Sequence, residues 1–222
     1  MNDNDNWLVA SIMQHGDASE ATYRTLADQF RLAHSGRALG GLSIEVGTRR
    51  GGSALLQLVL LDTVYSGWPN KPMLITVDPY GGKDYRGGGG KVAYNLYGDD
   101  EYIAAKKLLS NFGNHVHFPI TSLDFLTFVE RGLRLWRGGQ EVWVTKDSTS
   151  FVFLDGDHDQ GTIMAEVACF TPMLLPGGRI LIDNTDEEPV LMEALQTFAE
   201  QNHLSLHPVL KDAAVLVKRS NP

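Results

Sequence analysis

The chain of 222 residues is 43% hydrophobic, which is enough to bury a full core in one domain of ordinary α/β size. Because 27 Asp and Glu residues outnumber 19 Lys and Arg residues, the net charge of −8 argues against nucleic acid or an anionic membrane surface as a partner. The first residues lack the basic and apolar regions of a signal peptide, and the single cysteine, Cys169, cannot form an internal disulfide, so we expect a cytoplasmic protein.

The predicted elements begin with an amphipathic helix over 18–35, in which Tyr23, Leu26 and Phe30 recur at helical spacing. Strand-like runs and helical patterns then alternate. The strands are predicted at 42–46, 73–77, 116–120, 151–154, 179–182, 204–209 and 213–218, and the helices between them at 54–61, 100–112, 123–135, 162–173 and 189–200. This alternation is typical of parallel βαβ units, because each helix must cross back over the sheet before the next parallel strand starts.

The last two predicted strands are separated only by 210–212, which is too short for a crossover, so we expect them to pair antiparallel. The sequence thus predicts a Rossmann-like, doubly wound α/β fold with a seven-stranded, mostly parallel sheet and a C-terminal antiparallel hairpin. Residues 1–222 form one domain in this interpretation. A Gly- and Tyr-rich insert at 79–98 lacks periodicity, and its composition fits either a lid over the site or plain disorder.

The first strand of the predicted sheet runs into a glycine-rich turn, EVGTRRGGS, at 45–53. A dinucleotide fingerprint would need glycine at position 49, where Arg49 obstructs the approach of a pyrophosphate. An adenosine ligand without a pyrophosphate fits better: Ser53 would take a carboxylate, Asp78 the ribose hydroxyls, and Glu45 a cationic group. These are the groups of S-adenosylmethionine, although a glycine-rich turn is equally often purely structural.

Carboxylates also follow two later strands, in FLDGDHD at 153–159 and in IDNT at 182–185. If these strands are neighbours, Asp155, Asp183 and Asn184 converge, and their oxygen atoms suit Mg²⁺, with water and substrate filling the remaining positions. Asp183 and Asn184 fit ordinary turn chemistry equally well.

The remaining polar residues of FLDGDHD have separate interpretations. The imidazole of His158, with an ordinary pKa of about 6.5, suits the removal of a hydroxyl proton. Asp159 is expected to cap the following helix. Asp157 is left open between a cap and a ligand. Trp136 and Trp143 are interpreted as packing or interface residues.

From about residue 40 to 218 the chain resembles the class I S-adenosylmethionine-dependent methyltransferases. EVGTRRGGS is similar to the E-x-G-x-x-x-G-x-S form of their first motif in catechol and caffeoyl-CoA O-methyltransferases. The resemblance implies that Asp78 binds the ribose and Ser122 the adenine edge. It also implies that the methionine portion is lined by Glu45, Gly47, Thr48, Arg49 and Ser53. We add Gly51 of the same turn and Asp155 to these predicted cofactor-binding residues.

The cation-dependent O-methyltransferases carry an Asp after the fourth strand and an Asp-Asn pair after the fifth, which match Asp155, Asp183 and Asn184. DGDH is similar to the sugar- and antibiotic-modifying members, and His158 stands where the catechol and caffeoyl-CoA enzymes have a lysine base. The resemblance implies a Mg²⁺-dependent O-methyltransferase for a small hydroxylated molecule, with Asp155 and His158 as catalytic residues. A metal-independent methyltransferase and a non-catalytic adenosyl-ligand binding protein are the alternatives. The oligomeric state is open, and a homodimer is compatible with the sequence.

Overall fold

The structure, a computed structural model, describes residues 3–16, 18–81, 84–86, 92–94, 97–137 and 140–220. The α-helices are α1 (Asp3–Ile12), α2 (Glu20–Ala33), α3 (Gly52–Val64), α4 (Asp99–Leu109), α5 (Ser122–Glu130), α6 (Gln160–Phe170) and α7 (Leu191–Gln201). The strands are β1 (Leu42–Val46), β2 (Leu74–Val77), β3 (Asp84–Arg86), β4 (Val92–Tyr94), β5 (His115–Phe118), β6 (Leu133–Arg137), β7 (Gln140–Val144), β8 (Thr149–Leu154), β9 (Leu174–Ile182), β10 (Leu204–Pro208) and β11 (Ala214–Lys218).

Seven strands form the central sheet in the order β10-β11-β9-β8-β1-β2-β5. The five strands from β9 to β5 in this order are parallel, whereas β11 runs antiparallel both to β9 and to β10. The predicted α/β fold and its C-terminal hairpin are therefore confirmed. The chain leaves β1 toward β2 and β5, and later returns to β8 on the other side of β1. This reversal opens a crevice at the carboxyl ends of β1 and β8, where ligands bind in such sheets.

Helices cover both faces of the sheet, and each face has its own hydrophobic core. Helices α1 to α4 contribute to one core, together with Phe151 of β8. Helices α5 to α7 build the other core, to which the next residue, Val152, belongs. Successive side chains of a strand point to opposite faces, and both faces are covered, which explains why β8 is buried throughout.

The N-terminal part differs from the prediction in one respect. The helix predicted over 18–35 corresponds to α2, where the Ser19 hydroxyl accepts a hydrogen bond from the Thr22 backbone N–H at 3.1 Å. Helix α1 was not predicted, although it buries Val9 and Ile12 against the same core. No helix among the described residues is long and apolar enough to cross a lipid bilayer.

The helix predicted over 123–135 is wrong in its last five residues, 131–135. Helix α5 ends at Glu130, and Gly132, with a φ of 83°, turns the chain into the antiparallel hairpin β6–β7. Leu135 faces the core, whereas Trp136 and Trp143 are exposed on the outer face of the hairpin. A glycine in the left-handed region ends a helix readily, because it has no Cβ to clash.

The insert predicted at 79–98 is described only in part. Strands β3 and β4 pair antiparallel within it, and residues 79–81 and 97–98 join it to the sheet and to α4. Residues 82–83, 87–91 and 95–96 lie outside the described residues. The choice between a lid and disorder falls on those residues and stays a prediction.

Candidate active site

A cavity of about 550 Å³ lies at the carboxyl ends of β1, β2, β8 and β9. Its size is that of a site for a small molecule. The first turn contributes Gly47 and Ser53 to the wall, and the later strand ends contribute Asp155 and Asp183. The cavity thus brings together residues that are more than 100 positions apart in the sequence.

The first turn approaches the turn after β8 closely. Gly47 has a φ of 86°, and a Cβ atom at this position would lie 2.0 Å from the carbonyl oxygen of Asp155. Only glycine permits both this backbone conformation and this distance. Glycine is therefore needed at position 47 because the turn between β1 and α3 packs against the turn between β8 and α6.

Two polar side chains of the first turn face the cavity. Thr48 is only 2% exposed, and its Oγ1 atom has no hydrogen-bond partner among the described residues. Arg49 has a φ of 45°, and its guanidinium group stacks over the Tyr97 ring at 4.9 Å. A strained non-glycine backbone is costly and is often found where it positions a functional group.

Glu45 and Gly51 lie behind the wall of the cavity, although both were predicted as cofactor-binding residues. Glu45 is fully buried and forms side-chain hydrogen bonds with Ser53 and Gln57. Burial raises the pKa of Glu45 well above its usual range, and the charges of Asp155 and Asp78 add to this effect. Gly51 is the N-cap of α3 with a φ of 87°. Both residues therefore support the turn from behind and do not form its surface.

Asp78 ends β2 and is held toward the cavity by two backbone groups. Its Oδ2 accepts a hydrogen bond from the Arg49 N–H at 2.8 Å, and its Oδ1 accepts one from the Tyr80 N–H at 3.1 Å. Burial raises the pKa of Asp78 in spite of these bonds. The Tyr80 hydroxyl donates to the Arg49 carbonyl oxygen, so Tyr80 joins the ends of β1 and β2.

His158 lies between two carboxylates in the wall of the cavity. Its Nε2 is 3.8 Å from Asp155 Oδ1, and its Nδ1 is 3.3 Å from Glu187 Oε1. Burial lowers the pKa of His158, but the hydrogen bonds and charges of Asp155 and Glu187 outweigh this effect, so the pKa is raised overall. The imidazole is therefore protonated more readily than the ordinary histidine that the sequence suggested.

Asp155, which is partly exposed, and Asp183, which is buried, are neighbouring carboxyl groups. Asp183 is 8% exposed, and burial, together with the charge of Asp155, raises its pKa to about 7. Asn184 follows with a φ of 55°, and its side-chain amide donates to Glu187 Oε1 at 3.2 Å. All three predicted metal ligands thus line the same cavity.

No protein-family model and no curated protein sequence matches the chain. Solved structures do match it. TomG from Streptomyces achromogenes, an O-methyltransferase of tomaymycin synthesis solved with S-adenosylmethionine, is 14% identical with a TM-score of 0.58, over 100% of this chain and 91% of TomG. A Bacillus cereus O-methyltransferase solved with S-adenosylhomocysteine is 13% identical with a TM-score of 0.58, over 99% and 92% of the two chains.

A Corynebacterium glutamicum protein is 15% identical with a TM-score of 0.59, and the match covers 97% of this chain and 91% of that protein. The chain has the fold of the class I S-adenosylmethionine-dependent methyltransferases. At these identities the likeness concerns the fold alone.

The cavity fits S-adenosylmethionine. The backbone N–H groups at the start of α3 suit the carboxylate, whereas the Ser53 hydroxyl is bonded to Glu45. The buried Thr48 hydroxyl is a polar group that a ligand would satisfy. Asp78 presents carboxylate oxygens for two ribose hydroxyls. Ser122, the first residue of α5, also lines the cavity.

The acidic end fits a hard cation in its donor atoms. Asp155 and Asp183 disfavour each other's ionised form, and a cation between such groups would stabilise both charges. Among the described residues, no three His, Cys, Asp or Glu side chains are grouped to hold a metal ion. The predicted set of two carboxylates and the Asn184 amide oxygen therefore requires water or substrate as further ligands.

Asp157 and Asp159, the other two aspartates of FLDGDHD, have different positions in the fold. Asp159 is the N-cap of α6, and its Oδ1 accepts a hydrogen bond from the Thr162 N–H at 3.1 Å, as predicted. Asp157 lines the cavity beside His158. Its role as a cap or a ligand stays a prediction.

Sequence reasoning missed a wall of the cavity that comes from the N-terminal segment. Its members are Gly16, Ala18, Ser19, Thr22, Tyr23 and Leu26. A Cβ atom at Gly52, the first residue of α3, would lie 2.8 Å from Gly16 Cα and 2.6 Å from the Tyr23 hydroxyl oxygen. Because neither Gly16 nor Gly52 has a side chain, the two backbones can touch. In the sequence, the small size of these two residues was the only signal of this contact. Glu187 and Asp212 were also missed.

Proposed function

We propose that this protein is an S-adenosylmethionine-dependent O-methyltransferase that acts on a small hydroxylated molecule. The observation that carries the proposal is one continuous cavity with two chemically different ends. The first turn and Asp78 form one end, and Asp155, His158 and Asp183 form the other. The methyl donor would lie at the first end with its sulfonium group directed toward the second.

Mg²⁺ is proposed at the acidic end, held by Asp155, Asp183 and Asn184. When bound, the ion would lower the pKa of an acceptor hydroxyl and orient its oxygen. His158 would remove the hydroxyl proton, and Glu187 would fix the ring through Nδ1 so that Nε2 faces the cavity. This role requires the neutral imidazole, so its raised pKa predicts activity that increases toward alkaline pH.

The charge of the wall limits the acceptor. Five carboxyl groups line the acidic end, on Asp155, Asp157, Asp183, Glu187 and Asp212. The Arg50 guanidinium group is paired with Glu101, and the Arg49 group stacks on Tyr97 while its charge also acts on Asp155. These carboxyl groups would disfavour an acceptor with a phosphate or carboxylate. We therefore propose a neutral or cationic hydroxylated acceptor, and we retain a cytoplasmic location and a homodimer as predictions.

Calorimetry with S-adenosylmethionine and S-adenosylhomocysteine is the first test. Binding at micromolar affinity supports the cofactor site, and absence of binding contradicts the proposal. Transfer of a labelled methyl group to a panel of polyhydroxylated and aminohydroxylated acceptors follows. Failure across both classes would favour a non-catalytic binding protein.

The metal is tested separately. Turnover with Mg²⁺ should be lost in EDTA, restored by added Mg²⁺, and reduced by at least about 100-fold in Asp183→Asn. The matched control is Asp28→Asn, which changes an exposed aspartate of α2. Turnover that survives EDTA would support the metal-independent alternative.

A further inference from the structure

A buried carboxyl group that the proposed chemistry does not use lies behind the wall of the cavity. Glu166 of α6 is 1% exposed and forms a side-chain hydrogen bond with Ser122. Its Oε1 atom is buried and has no hydrogen-bond partner among the described residues. Ser122 itself lines the cavity, so its hydroxyl group lies between Glu166 and a bound ligand.

The surroundings of Glu166 favour its neutral form. Burial raises its pKa to about 8; the hydrogen bond with Ser122 and the charge of His158 oppose this, whereas Asp157 and Asp159 increase it. Cys169, on the same helix, is the other titratable group with which Glu166 interacts. At neutral pH the side chain is therefore mainly a carboxylic acid.

The protonation state of Glu166 decides what Ser122 offers to the cavity. A carboxylic acid has one O–H donor, and if it donates to Ser122 Oγ, the hydroxyl hydrogen of Ser122 is available for the ligand. A carboxylate has no donor. It would accept the Ser122 hydrogen, and only lone pairs of Ser122 Oγ would then face the cavity.

We propose that Glu166 is a positioning residue that donates a hydrogen bond to Ser122 and thereby directs the Ser122 hydroxyl hydrogen into the cavity, toward an acceptor atom of the bound cofactor. The inference rests on the proposed function, because the ligand is the proposed methyl donor. In this inference Glu166, which lies outside the cavity wall, decides whether the Ser122 hydroxyl acts as a donor or as an acceptor toward the cofactor.

The experiment measures S-adenosylhomocysteine affinity by calorimetry between pH 6.5 and 9.5. Glu166→Gln keeps a donor that does not ionise, so it should bind as tightly as wild type at pH 7. Wild-type affinity should fall by about 10-fold more than that of Glu166→Gln between pH 7 and 9.5. The ligand's own amino group titrates equally with both proteins, so their difference isolates Glu166. Glu193→Gln, at an exposed position of α7, is the matched control.

Ser122→Ala completes the test. It should weaken binding by about 10-fold at pH 7 and abolish the difference between Glu166→Gln and wild type at high pH. The inference is overturned if Glu166→Gln and wild type share one pH profile, or if their difference persists without the Ser122 hydroxyl. Because Gln is isosteric with Glu, folding is preserved, and melting temperatures at each pH check this. If wild type binds no S-adenosylhomocysteine, the proposed function itself fails and the inference falls with it.

Discussion

Gly47 lies directly against Asp155, so that a methyl group at Gly47 would stand 2.0 Å from the Asp155 carbonyl oxygen. This contact joins the turn proposed to hold the cofactor with the turn proposed to hold the metal. The spacing between the two ends of the cavity therefore depends on the absence of one side chain.

Gly47→Ala should destabilise the fold and weaken cofactor binding together. The substitution adds a clash with backbone to the strain of a positive φ, and we expect a loss of about 2–4 kcal/mol in the free energy of unfolding. Urea titration and calorimetry with S-adenosylhomocysteine measure the two effects. Gly67→Ala is the matched control, because Gly67 has a φ of 83° and open space around it. Equal losses in both variants would show that the contact with Asp155 is unimportant.

Asp78→Asn should weaken binding of S-adenosylhomocysteine by about 10–100-fold. The amide would turn an N–H₂ group either toward the backbone donors of Arg49 and Tyr80 or toward the ribose hydroxyls, and it would remove the charge that strengthens these bonds. Calorimetry measures the loss, with Asp28→Asn as the exposed control. Unchanged affinity would exclude Asp78 from the ribose site.

Glu187→Gln should lower the pKa of His158. The Glu187 carboxylate lies 3.3 Å from His158 Nδ1 and stabilises the protonated ring, so its removal favours the neutral ring. NMR titration of the imidazole reports the pKa directly, and the rise of activity should move to lower pH by the same amount. A pKa that does not move would mean that the ion pair with Glu187 is absent in solution. Glu193→Gln serves as the control.

Glu166→Gln should stabilise the protein at pH 9 and have little effect at pH 4. The pKa of Glu166 is raised from 4.5 to about 8, so the carboxyl group stays neutral in the folded chain while it ionises in the unfolded chain. Its contribution to stability is therefore complete below pH 4.5 and is lost progressively as the pH rises to about 8.

The gain in the Gln variant at pH 9 is expected to be on the order of 2–4 kcal/mol, since each pKa unit corresponds to about 1.4 kcal/mol. Chemical unfolding at both pH values measures it. An equal effect at pH 4 and pH 9 would indicate a packing difference instead of ionisation.

The sequence alone was sufficient for the sheet and for the two ends of the cavity. Alternating strands and helices impose the parallel order, and residues that follow neighbouring parallel strands must meet at one edge. Asp78, Asp155 and Asp183 could be selected on this ground. Their convergence needs only that β8 and β9 are neighbours, as they are.

The parts of the site that the sequence did not predict depend on contacts between distant segments, which no local sequence pattern encodes. Glu166 lies on a helix whose sequence does not tell which side faces Ser122, and Glu187 lies in a turn between β9 and α7. The contact of Gly16 with Gly52 joins segments that are 36 positions apart, and small residues alone do not identify a partner. The end of the predicted helix, at 131–135, was wrong because Leu133 and Leu135 fit a helix or a strand equally in so short a run.

The wall of the cavity begins at Gly16 and ends at Asp212, so nearly the whole chain must be in place before the site exists. A ligand that binds only this assembled state stabilises every segment that contributes to the wall. Amide hydrogens near Tyr23 in α2 and in the hairpin β10–β11 should therefore exchange more slowly together when the cavity is filled, although they lie at opposite ends of the chain. Slower exchange at both ends would make the bound ligand a reporter of completed folding.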